Sequence, residues 1–230
     1  MAALWKSPLY TLNAPSGAKI KIDVTTSISA GLQPSNVLTD TVIPFFLSNG
    51  IQRIVDFGAG ALRHTLPLLA AGFEVSAVEF ESALARPAAA AALAMARGYG
   101  NFTSLVWPHD FLRDRTRFDA ALLCYVLQTM PIPDERTRVL RLLKKKLKHE
   151  AYLLHMSRIN QLPATISPRQ RVSDGYYMWP RREEHSFYRE FSTPDTHTMF
   201  DAQGMRYIRS LSQRGTDQMF MYAKGPAGWI

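Results

Sequence analysis

Between Arg53 and Glu81 the chain reads RIVDFGAGALRHTLPLLAAGFEVSAVEFE, the stretch that most narrows what it can fold into. A short apolar run, Ile54-Val55, ends on Asp56. The tight turn Gly58-Ala59-Gly60 follows, then a helical stripe through Leu62, Leu66, Leu68 and Leu69 that Gly72 closes. A second apolar run, 73–78, ends on Glu79. Strand, glycine turn, helix, strand and acid make a βαβ unit with a carboxylate roughly 20 residues beyond the glycines, a pattern suited to a nucleoside-containing cofactor. Gly58 and Gly60 permit a sharp turn and a close backbone approach that a Cβ would prevent.

The flanking sequence continues the alternation. Residues 102–107 read as a third strand, 118–126 as a fourth that is buried on both faces as in a parallel sheet, and 151–157 as a fifth. Helices are expected over the alanine-rich 82–97 and from an Asp134 cap to Lys148. Ahead of the unit, 19–24 alternates like a half-exposed strand, and Ser35 or Asn36 caps a helix to Leu47 that Pro44 kinks or shortens. This arm and helix form either one wall of a cleft or a cover for one sheet face. From Arg158 to about Thr193 periodicity dissolves into Pro, Arg, Gly and aromatics, as in a functional loop. A short helix over 194–203 precedes two runs, 205–211 and 218–223, that join through Arg214-Gly215 as an antiparallel hairpin. One domain is expected over 1–230, with an arm and helix (1–50), a cofactor-binding core (51–158), an insertion or lid (159–193) and a C-terminal helix and hairpin (194–230).

With 27 basic and 19 acidic residues the chain carries a formal charge of +8, which fits a nucleic-acid partner, an anionic substrate or simply a solvated surface. The single cysteine, Cys124, provides no disulfide framework and fits a reducing compartment. The start MAALWKSPLYTLN lacks the long apolar core of a signal peptide. No run reaches the roughly 18 apolar residues of a membrane span. A cytoplasmic protein with no membrane partner is expected.

Taken with VDFGAG, Glu79, the HDF after the third strand and FDAALLCYVL in the fourth, the pattern resembles the class I S-adenosylmethionine-dependent methyltransferases over roughly 37–224. The segment GAGALRHTLPLLAAGFEVSAVE is most similar to small bacterial enzymes of the tellurite-resistance methyltransferase type, in which Arg63 matches a common arginine. The resemblance implies an α/β fold: a doubly wound, mostly parallel seven-stranded sheet of order 3-2-1-4-5-7-6, strand 7 antiparallel, with helices on both faces. Leu62 departs from it by standing where the family usually has a third glycine. A dinucleotide fold would want that glycine for helix–strand packing, and no Gly-Lys-Ser/Thr follows to make a phosphate loop.

The resemblance further implies S-adenosyl-L-methionine as the cofactor, with Gly58, Ala59 and Gly60 turning against it and the following helix N-terminus suited to its carboxylate. Asp56 would help hold the methionyl amino group, or else be a strand-end acid capping the turn. Glu79, with Glu81 its neighbouring competitor, would accept hydrogen bonds from both ribose hydroxyls. Phe80 would pack on the adenine. Asp110 would take the adenine amino group unless it is an ordinary turn acid, and Phe111 would add a backbone N–H or an apolar wall. Tyr125, at the end of the fourth strand, falls near the methyl group or in the core.

Methyl transfer is an in-line displacement from an already activated sulfonium, so the protein aligns the reactants, excludes water and in some cases supplies a base. His155 is the first candidate base, with His109 and His185 behind it, although a lone histidine is as readily structural. Tyr176, Tyr177, Trp179, Arg181 and Arg182 line or cover the acceptor, or are ordinary surface residues. No metal is expected. Cys124-Tyr125-Val126-Leu127 stands where enzymes of exocyclic base amines carry an Asp/Asn-Pro-Pro-aromatic tetrad, which argues against that acceptor. Cys124 also lacks the Pro-Cys of C5-cytosine enzymes and reads as a small core residue. The expected acceptor is a small molecule under 159–193. The alternatives are RNA or tRNA held by the basic segments 141–148 and 158–189, or a non-catalytic cofactor-binding or scaffold protein.

Overall fold

The structure is a computed structural model that describes residues 7–28, 31, 33–159, 162, 166–181, 183–212 and 217–225. Its strands are β1 (Leu9–Asn13), β2 (Lys19–Asp23), β3 (Arg53–Phe57), β4 (Glu74–Glu79), β5 (Phe102–Val106), β6 (Phe118–Cys124), β7 (Leu147–Arg158), β8 (Arg171–Val172), β9 (Gly175–Arg181), β10 (Glu184–Tyr188), β11 (Met205–Ser212) and β12 (Asp217–Lys224). Its α-helices are α1 (Ile43–Ser48), α2 (Thr65–Ala70), α3 (Glu81–Leu84), α4 (Pro87–Ala96), α5 (His109–Arg113), α6 (Pro133–Lys146) and α7 (Thr193–Asp201).

Seven strands form one sheet in the order β11-β12-β7-β6-β3-β4-β5. The five strands from β7 to β5 run parallel, and β12 is antiparallel to both β7 and β11. Numbered along this sheet alone and read from its other edge, that is the expected 3-2-1-4-5-7-6.

The two-residue period of each strand divides its side chains between two cores. Ile54, Ala77, Leu122 and Leu154 pack with Phe46 and the α2 and α4 residues Leu68 and Ala92. Val55, Val78, Leu123 and Leu153 face the other way, onto Phe111 of α5, Leu140 of α6 and Phe200 of α7. Both faces of the central strands are therefore covered, which is why 118–126 reads as a long apolar run that only Asp119 interrupts.

Prolines set the details of the helices. The helix expected over 82–97 is two, because Pro87 cannot donate within a helix interior and instead opens α4 at its first turn. Ahead of β3 a π-helical turn, Leu38–Val42, runs into α1, the register changing where Pro44 removes a donor.

The insertion is more regular than its sequence indicates, and that expectation is corrected. Strands β8, β9 and β10 join the N-terminal hairpin in a second, five-stranded sheet of order β1-β2-β10-β9-β8. The pairing of β10 with β9 shifts register between His185 and Phe187, and such a bulge breaks the alternation a strand reading relies on. Gly175 is required where β9 begins, since a Cβ there would lie 2.5 Å from the Phe187 ring and 2.6 Å from the Tyr188 carbonyl oxygen. Ile22, Val172 and Phe187 from this sheet enter the same core as α5, α6 and α7. The expected turn at Arg214-Gly215 lies outside the described residues.

Candidate functional site

A cavity of about 390 Å³ opens where β3, β4, β6 and β7 end. That volume is in the range of small-ligand sites. A parallel sheet directs its strand-to-helix turns to this edge, so residues far apart in sequence meet there.

The β3 turn supplies Gly58, Ala59, Gly60 and Ala61 to the wall. Gly58 has φ +72°, and a Cβ on it would lie 2.4 Å from Val126 Cγ2. Gly60 has φ +56°, and a Cβ there would approach Ile28 Cγ2 at 3.3 Å, narrowing the space between turn and arm. The turn folds back on β4: Gly58 N–H and Ala59 N–H donate to the Val78 carbonyl at 2.9 and 3.2 Å. Leu62, at the position of the third glycine, has a left-handed backbone, φ 60°, while its side chain is fully buried. Such a conformation costs about 1–2 kcal/mol, which burying a leucine offsets by a similar amount.

Glu79 ends β4 with both carboxylate oxygens engaged by backbone, Gly60 N–H at 2.9 Å on Oε2 and Phe80 N–H at 2.8 Å on Oε1. Burial pushes its pKa up to about 7 against these two donors. Each oxygen keeps a further lone pair, and Glu79 and Phe80 both line the cavity. Asp56 lies behind the turn, buried, with its Oδ2 accepting from Thr65 Oγ1 at 2.6 Å. Burial raises its pKa to about 6.

The other end of the cavity is cationic and aromatic. Tyr125 leaves β6 at φ 63°, its N–H held by the Met156 carbonyl at 2.7 Å. The Arg63 and Arg158 guanidiniums lie over its ring, 4.8 and 5.4 Å from the centroid. His64 stacks on Tyr125 with ring centroids 6.4 Å apart, and burial followed by the neighbouring Arg63 lowers its pKa to about 3. Cys124 lines the wall between these groups and the turn, its thiol pushed up by burial. The arm supplies the remaining side through Val24, Thr25, Ser27 and Ile28. Asp23 caps that turn through Thr25, and Arg86 donates to Thr25 Oγ1 at 2.6 Å, which fixes the arm to α3 and α4.

Thus Gly58, Ala59, Gly60, Glu79, Phe80 and Tyr125 meet in one cavity, with Asp56 just beneath it. Asp110 and Phe111 are not brought there. Asp110 is exposed in the first turn of α5, its carboxylate accepting the Val106 N–H at 3.1 Å, and Phe111 is fully buried against Phe57 and Trp107. His155 is not there either. The two-residue alternation of β7 turns it into the core, where Nδ1 meets the Leu123 carbonyl and the ring lies on Phe200. His109 is exposed on α5, and His185 is held by the Met178 carbonyl. Tyr176 and Tyr177 are not in the wall, and the side chains of Trp179, Arg181 and Arg182 lie outside the described residues.

The sequence reading did not single out His64, Gln128, Thr129, Arg158 or the arm residues 24–28. No local signal distinguishes them, since each reaches the cavity through chain reversal. Part of the basic run of α6 is drawn into the structure: Lys146 is buried over Phe111 and bonded to the Asp114 carbonyl, and Lys144 sits against Gly204, while Lys145 is exposed. No helix among the described residues is long and apolar enough to cross a membrane.

No protein-family model and no curated protein sequence matches the chain. Solved structures do. A Burkholderia thailandensis 1,6-didemethyltoxoflavin-N1-methyltransferase, bound to 1,6-didemethyltoxoflavin and S-adenosylhomocysteine, superposes with TM-score 0.60 at 21% identity over 88% of this chain and 81% of its own. A Clostridium acetobutylicum S-adenosylmethionine-dependent methyltransferase gives 0.61 at 12% over 84% and 92%. The magnesium protoporphyrin IX methyltransferase of Synechocystis, bound to S-adenosylhomocysteine, gives 0.57 at 16% over 81% and 82%. The architecture is the Rossmann-like fold of the class I methyltransferases.

Proposed function

We propose that the chain is an S-adenosylmethionine-dependent methyltransferase acting on a small molecule, nearest in its glycine-turn segment to the tellurite-resistance type. The observation that carries this reading is the glycine turn closed onto Glu79, which presents a carboxylate and the Phe80 ring to a cavity at the strand ends of this fold. The residues present suit the cofactor. Glu79 has lone pairs left for the ribose hydroxyls, Phe80 offers an apolar face to the adenine, and the bare Gly60 leaves room between turn and arm. Asp56, held by Thr65, would fix the turn beneath the methionyl group.

When bound, S-adenosylmethionine supplies a methyl group already activated for displacement. The protein's part is to hold the two reactants in line and exclude water. Tyr125, at the cationic end, is placed to orient the acceptor. The small cavity and the engaged Lys146 of α6 support a small-molecule acceptor over RNA.

Replacing Glu79 by Ala is expected to weaken S-adenosylmethionine binding by about 1.5–3 kcal/mol, the worth of hydrogen bonds to a charged group. Titration calorimetry measures it, and unchanged affinity in a folded variant would defeat the cofactor assignment.

A further inference from the structure

Resting on the methyltransferase reading, we infer that the acceptor carries an ionised oxygen, a carboxylate or an acidic phenol or enol, and that Arg158 with Tyr125 recognises it. The first ground is position. Glu79 ends β4 and Arg158 ends β7, three strand spacings or about 14 Å apart across the sheet. Glu79 and Phe80 thus mark one end of the cavity, and the Arg63–Tyr125–Arg158 stack the other.

The second ground is charge. Two guanidiniums face this end. Arg63 makes no hydrogen bond or ion pair to a described residue. Among the described residues the Arg158 guanidinium has only Asp217 as an ion-pair partner, at 3.9 Å and beyond hydrogen-bond reach. The cofactor would bring one carboxylate, one ammonium and a sulfonium, a net cation. The cofactor's carboxylate would answer Arg63, and Asp217, too far from Arg158 for a hydrogen bond, offsets that guanidinium only in part, so an anionic acceptor would balance Arg158 together with the sulfonium.

The third ground is that Arg158 is held in place for this. Its N–H donates to Gln128 Oε1 at 2.7 Å, and its carbonyl accepts from Tyr188 Oη at 2.7 Å. Gln128 is in turn fixed through its carbonyl by Arg189 N–H at 2.8 Å.

The fourth ground is that no side chain lining this end of the cavity among the described residues is a ready proton acceptor, Asp217 not being one of the lining residues. His64 is held neutral with its pKa lowered to about 3 by burial and Arg63, and burial raises both Tyr125 and Cys124. Transfer to an ionised oxygen needs no base. A lone pair of that oxygen forms the O–CH₃ bond as the S–CH₃ bond breaks, and the electron pair of the broken bond passes to sulfur. The acceptor's negative charge and the sulfonium charge are both extinguished, and no proton leaves.

The test is calorimetry on the protein saturated with S-adenosylhomocysteine, titrated with benzoate and 4-nitrophenolate and with the neutral benzamide and benzyl alcohol. At least one anion is expected to bind at least tenfold tighter than the neutral compounds, and which anion does so separates carboxylate from phenolate acceptors. Arg158→Gln should abolish the preference, and Arg158→Lys should retain part of it. Asp217→Asn, which leaves Arg158 in place, should strengthen anion binding. Neutral compounds binding as tightly as the anions, no binding of either anion, or a preference untouched by Arg158→Gln would overturn the inference. Failure of the wild-type protein to bind S-adenosylhomocysteine would instead defeat the methyltransferase reading. Intact binding without an anion preference removes only the present inference.

Discussion

At the scale of single residues, Glu79 balances burial against two backbone donors. Its carboxyl, ordinarily near 4.5, is pushed up to about 7, chiefly by burial. Between those values the folded protein keeps a proton that the unfolded chain has released, so the unfolded state binds fewer protons and stability falls as pH rises through the window. Glu79→Gln removes this contribution. Relative to wild type, the variant should gain stability between about pH 4.5 and 7, by at most about 3.5 kcal/mol. Urea unfolding of both proteins at the two ends of that range measures it, and a difference that stays flat contradicts the burial of an ionisable Glu79. Asp56 acts in the same direction, whereas buried His64 and His155 act in the opposite one, so the comparison with the variant isolates Glu79.

At the scale of elements, the second sheet is fastened to the first by a charged strut. Arg136 of α6, almost fully buried, donates to both oxygens of Asp174 at 2.5 and 2.6 Å. Arg189 grips the same carboxylate at 3.1 Å and the Asp174 carbonyl at 2.7 Å, and both guanidiniums lie over Phe191. Tyr10 of β1 adds a bond to Glu135 at 2.6 Å. Removing Arg136 takes away its hydrogen bonds to a charged group, at about 1.5–3 kcal/mol, while Arg189 still holds Asp174. Arg136→Ala should therefore lower stability by that order in denaturant unfolding, and hydrogen exchange should quicken in β8–β10 before the main sheet. Uniform exchange across both sheets would show that the strut does not set their relative stability. Asp174 and Arg136 stand far apart in the chain and carry no motif, so this joint was not legible; nor was β10, whose bulge masks its period.

At the scale of the molecule, the cavity belongs to two bodies of structure. The main sheet supplies its floor through the ends of β3, β4, β6 and β7, and the residues after β2 supply a wall. S-adenosylhomocysteine at saturation should therefore slow amide exchange over 24–28 and 125–129 as well as 58–60, since binding favours the closed native contacts. Protection confined to 58–60 would mean that the arm takes no part.

What the sequence determined by itself was the alternation of strands and helices, the glycine turn and Glu79 at the next strand end, which depend on short-range periodicity. The sheet order came from the family resemblance that these features carry, and right-handed crossovers agree with it. Tertiary structure alone decided that Arg63 and Arg158 both lie over Tyr125, that the arm closes the cavity, and that Asp110 and His155 stand outside it. Those outcomes turn on which way a side chain points once strands are in register. A single residue of offset reverses that direction, and no local pattern records it.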